Sequence, residues 1–87
     1  MKKDIFINEL INFCFRYILF NKLIEIDTIK HNLEQQLENV EFVETLIREI
    51  IVKTKSHRGI DIEKAKMLLL ELERIRLNLE YKEYSAV

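Results

Sequence analysis

The sequence predicts an all-α fold: an antiparallel three-helix bundle with a long central helix, expected to dimerise through its helix faces. Three observations carry this expectation. The 87 residues contain no proline and one glycine, Gly59, whereas strand-rich folds need more turn residues than that. Apolar residues recur at alternating steps of three and four, the period of an amphipathic helix. Forty-eight per cent of the residues are hydrophobic, more than one small core hides, so apolar faces are left over for a partner or a second copy.

The chain is expected to form a single helical domain, residues 1–87, with helices at about 4–24, 28–55 and 61–82. In the first helix, Phe6, Leu10, Phe13, Tyr17, Phe20 and Ile24 form one row and Ile7, Ile11, Cys14 and Ile18 a second. Two adjacent seams require more than one packing neighbour. The polar stripe beside them is narrow, chiefly Asn8, Asn12 and Arg16.

The central segment has the most regular spacing: Ile26, Ile29, Leu33, Gln36, Val40, Val43, Ile47 and Ile50. Asp27 or Thr28 supplies the expected N-cap, through a side-chain oxygen that accepts a free backbone N–H. No residue before Ser56 obliges a stop, so one helix of about 28 residues and about 40 Å is expected. Asn39 is the residue at which that helix would break. Gln36 either sets register as a polar seam residue or faces solvent.

After Gly59, Asp61 caps the third helix. Ile62, Ala65, Leu69, Leu72 and Leu79, with Ile75 beside them, form its inner face, and Met67, Leu70, Leu77, Tyr81 and Tyr84 form a second row. The apolar rows expected to meet a protein partner or a second copy therefore include Phe6, Phe13, Phe20, Leu70, Leu77, Tyr81 and Tyr84.

Charge is balanced, with 14 Lys and Arg against 15 Asp and Glu, so no global field draws nucleic acid or an anionic membrane. It is uneven locally: residues 34–50 carry five Glu against Arg48, while residues 51–66 carry five basic residues against Asp61 and Glu63. The stretch KTKSHRG, residues 53–59, concentrates Lys53, Lys55, His57 and Arg58 before the glycine. Basic residues in a last turn complement the helix dipole, and Gly59 supplies a turn conformation, so the stretch accounts for itself as a helix end. The same four residues form a possible contact for an anion or an acidic partner. A helix-turn-helix is excluded because its buried positions before Gly59 would fall on Thr54, Lys55 and Arg58, which are polar.

No catalytic or cofactor chemistry is expected. His31, His57 and Cys14 lie apart, and one glycine cannot build a phosphate loop. Glu38, Glu41 and Glu44, three apart, read as a solvated acidic face. Leu69-Leu70-Glu71-Leu72-Glu73, on the second helix of a glycine-hinged hairpin, faintly resembles the Ser-Gln-Glu-Leu-Asp signature of the small sporulation aspartyl-phosphate phosphatases. The first two residues and the last do not match, so no activity is carried over.

Lys2 and Lys3 precede an apolar run, but Asp4, Asn8, Glu9, Asn12 and Arg16 interrupt it, unlike a signal peptide or a membrane span. A soluble, cytoplasmic protein is expected, with one cysteine ruling out an internal disulfide framework. The leading expectation is a small non-enzymatic helical protein that binds another protein. Its richness in Ile, Lys, Glu and Asn fits an inhibitor, immunity factor or antitoxin of bacterial, phage or mobile-element origin. The alternatives are a nucleic-acid-binding regulator using residues 53–58 and a self-assembling structural subunit.

Overall fold

The computed structural model describes the backbone of residues 2–19 and 24–85 and the side chains of residues 6–19 and 24–82. The fold is all-helical, but it has four helices where three are expected: α1 Lys2–Ile18, α2 Ile26–Gln36, α3 Val40–Ser56 and α4 Ile62–Ser85. The long central helix does not form. The expected continuity fails at residues 37–39, beside Asn39, the residue named as its weakest point, and the longest element is α4, about 36 Å at 1.5 Å per residue.

The physical reason lies in what the division buries. A continuous helix would keep its seam on Ile29, Leu33, Val43 and Ile50 and leave Leu37, Phe42 and Leu46 beside it. With the chain released at residues 37–39, all seven side chains enter the core, Leu37 at 4% exposure. Burying a residue such as Leu37 stabilises by about 1.5–3 kcal/mol. Asn39 limits the cost of restarting the helix: its backbone is extended (φ −143°, ψ 155°), and its Oδ1 accepts the Phe42 N–H at 2.8 Å. Gln36 faces solvent, so it sets no register in the core.

The other helix ends divide between agreement and correction. Neither Asp27 nor Thr28 caps α2. Its N-cap is Glu25, in an extended conformation with no side-chain bond, and Asp27 lies within the first turn, where its charge favours the positive helix end. Asp61 does cap α4, accepting the Lys64 N–H at 3.2 Å. Ile62, expected on the inner face, is 64% exposed as the first residue of α4. Helix α1 stops at Ile18, short of Ile24, which is not helical; the expected stretch between them, including Phe20, falls partly outside the described residues.

Contacts along the helices set their directions. Phe6 meets Phe42 and Phe15 meets His57, so α1 and α3 run parallel. Lys30 pairs with Glu71 and Glu34 with Arg74, so α2 and α4 also run parallel. The short loop after Ser56 reverses the chain, making α3 and α4 antiparallel. The result is an up-down-up-down arrangement in which α4 packs on all three other helices, while α2 and α3 do not pack on each other.

The row of α1 that begins at Phe6 is thereby covered as well: Phe6 and Phe13 lie half-buried against the core, and the Phe6 ring sits 5.3 Å from that of Phe42. The core centre is fully enclosed and includes Cys14, Ile18, Ile29, Leu33, Leu46, Ile50, Leu68 and Leu72. Among the described residues, the enclosed side-chain oxygen without a hydrogen-bond partner is Thr54 Oγ1. No helix among them is long and apolar enough to cross a membrane.

Candidate interaction surfaces

Two surfaces remain after the core is assigned. The first is the outward face of α4. Ala65, Leu68, Leu72 and Ile75 turn into the core. At 100° per residue, Leu70, Leu77 and Tyr81 fall opposite them, with Met67 at the flank. Leu70 is 70% exposed, Leu77 53%, Tyr81 75% and Met67 45%. The steps from Met67 through Leu70, Arg74 and Leu77 to Tyr81 alternate three and four, as in the seam of a coiled coil. Tyr84, expected to extend this row, has a side chain outside the described residues.

Two arginines beside the ridge are matched within the chain. Arg74 donates to Glu71 at 3.0 Å and pairs with Glu34 of α2. Arg76 pairs with Glu73 and donates to Glu80 at 2.6 Å. The hydrogen bond from Arg76 holds the Glu73 carboxyl below its ordinary range, and those that Arg74 donates to Glu34 and Glu71 strengthen its own charged state. The ridge thus offers apolar area flanked by two arginines that are paired within the chain.

The second surface develops the basic stretch at the end of α3. His57 is the C-cap of α3 in an extended conformation, and Gly59 follows in the loop with φ +79°. Lys55 and Arg58 are exposed at this tip. Lys53 and His57 instead turn onto Phe15 of α1. The Lys53 Nζ lies 5.6 Å from the centre of the Phe15 ring, and the His57 ring meets it edge-on at 5.2 Å and 88°. Arg16 and Asn12 of α1 complete an open groove of about 570 Å³.

The loop after Gly59 is anchored to α1. The Asp61 N–H donates to the Ile18 carbonyl at 3.0 Å, and Lys64 stands 5.2 Å over the Tyr17 ring. Burial, then the nearby Asp61 carboxylate, raises the Tyr17 pKa, so the phenol stays protonated beside Met67.

Comparison with protein-family models, curated proteins and solved structures finds no match for this chain.

Of the residues expected at an interface, the fold leaves Leu70, Leu77 and Tyr81 on one exposed line and turns Phe6 and Phe13 towards the core. Of the basic four, it brings Lys53 and His57 together over one aromatic ring and leaves Lys55 and Arg58 beside them. Sequence reasoning missed Phe15 and the use of Arg16. A signal existed, because Phe15 belongs to neither apolar row of α1. No cluster of three metal-ligating side chains occurs among the described residues.

Proposed function

We propose that this chain is a small non-enzymatic protein that acts by binding a helix of a protein partner along the outer ridge of α4. The observation that carries the reading is the line of Met67, Leu70, Leu77 and Tyr81 on the longest helix, exposed and opposite the core. A partner helix with apolar residues at similar spacing lays its own stripe between these side chains and removes both surfaces from water. This is a way in which an inhibitor, immunity factor or antitoxin occupies its target without chemistry.

A second copy is the competing occupant. Arg74 lies midway along the ridge, so a parallel pair would set it against Arg74 of the copy, and an antiparallel pair would set it against leucine. A foreign helix can offer a residue suited to Arg74; an identical helix cannot change its own.

The experiment places a photo-crosslinking amino acid at residue 70 and exposes the protein to lysate of its own cells. A specific foreign chain crosslinked there, still bound by the purified protein and lost with Leu77→Ser at unchanged helicity, is the expected result. Recovery of the chain with only its own copies would assign the ridge to self-assembly. No crosslink would remove α4 from consideration.

A further inference from the structure

The groove around Phe15 faces α1 and α3, away from the α4 ridge, and its charges are arranged differently. On α4, Arg74 and Arg76 are tied to carboxylates. Arg16 and Lys53, which line the groove, and Lys55 and Arg58 at the tip beside it make no ion pair among the described residues. Among the described residues no carboxylate lines the groove; its other lining residues are Asn12, Ser56, His57, Phe15 and Leu19. A folded surface that leaves several cations unmatched around one concavity is complementary to an anionic occupant.

The geometry narrows the class of that occupant. Phe15 is nearly buried, with Lys53 over its ring and the His57 ring perpendicular to it, so it offers no open face on which a nucleobase could stack. Leu19, more than a third exposed, is the available apolar contact. The donors are flexible side chains from two helices rather than convergent backbone N–H groups of the kind that enclose a single phosphate. A long polyanion that continued along the seam between α1 and α3 would also meet Glu49, exposed one turn before Lys53 and beside Asn8 and Ile11. A short anion-bearing segment avoids that charge.

We propose that this groove binds a short acidic peptide segment of a protein partner, its carboxylates met by Arg16, Lys53 and His57 and an adjoining aliphatic side chain resting on Leu19. The site is independent of the α4 ridge, and either can fail without the other.

Fluorescence anisotropy tests the proposal, with a labelled peptide of repeated Glu-Leu-Glu units, its Gln-Leu-Gln counterpart and a labelled oligothymidylate as probes. The expected result is saturable binding of the acidic peptide, about tenfold weaker in the double variant Arg16→Gln with Lys53→Gln, as two exposed charge contacts of up to about 1 kcal/mol each imply. The neutral peptide should bind at least as weakly as the acidic peptide binds the double variant. Both substituted residues are exposed, so circular dichroism should not change; Leu77→Ser should leave the acidic peptide's affinity intact. Equal binding of the neutral peptide, an unaffected double variant, or tighter binding of the oligothymidylate would each overturn the proposal. Absence of acidic-peptide binding would do the same.

Discussion

The side-chain oxygen of Asn39 accepts the backbone N–H of Phe42 at 2.8 Å, and this contact marks the point where one expected helix becomes two. Removing the oxygen leaves an N–H in the first turn of α3 without its partner. Asn39→Ala should therefore destabilise by about 1 kcal/mol, while Asn39→Asp or Asn39→Ser, which keep an acceptor, should cost much less. Urea denaturation of the three variants checks this, with the midpoint falling only for alanine.

Gly59 should resist substitution for a backbone reason alone. Its φ is +79°, and a Cβ placed there would meet nothing within 4 Å. Gly59→Ala should cost about 1–2 kcal/mol from the left-handed conformation, with no packing clash. A fall in melting temperature of about 4–8 °C per kcal/mol is the expected reading in a domain of this size.

Thr54 should be improvable. Its hydroxyl is enclosed without a hydrogen-bond partner, so the fold bears a desolvation cost with no return. Thr54→Val keeps the shape and removes the polar atom, and should raise stability by up to about 1 kcal/mol. A lower urea midpoint in Thr54→Val would show that the hydroxyl is satisfied in solution.

Leu72 and Leu70, two residues apart on α4, should respond in opposite ways. Leu72 is fully enclosed and Leu70 is 70% exposed. Leu72→Ala should cost about 2–5 kcal/mol, whereas Leu70→Ser should change the stability of the isolated chain by no more than about 0.5 kcal/mol. Loss of stability in Leu70→Ser alone would show that this side chain is already covered, as in a dimer. Sedimentation equilibrium on the same samples distinguishes that case.

Cys14 should report opening of the core. It is fully buried, and burial pushes its thiol up from 9.0 to about 12. A thiol reagent at pH 8 should label it slowly in the folded chain and quickly in denaturant. The raised pKa also fixes a direction for alkaline stability. The unfolded thiol loses its proton from about pH 9 while the folded one keeps it to about 12, so its contribution is full below 9 and is lost across that window. Cys14→Ala should flatten the decline.

Much of the fold was legible locally. The helical period, the turn at Gly59 and the Asp61 cap each depend on a few neighbouring residues, and the fold contains all three. The exposed row Leu70, Leu77 and Tyr81 was also readable, because α4 is a single helix and its outward face follows from spacing. The division at residues 37–39 was not. The spacing from Ile26 to Ile50 suits a continuous helix equally well, and Asn39 is named by the sequence only as a weak point.

What the sequence by itself determined is the helical character of the chain, its surplus of apolar faces and the basic stretch after Ile51. Those are properties of residue type and short-range order. Only the tertiary structure decided that Leu37 and Phe42 enter the core through a break, that Phe6 and Phe13 turn inward, and that Lys53 and His57 meet Phe15. Each of these joins residues whose proximity depends on which competing burial is largest, a comparison made across the whole chain and written in no local segment.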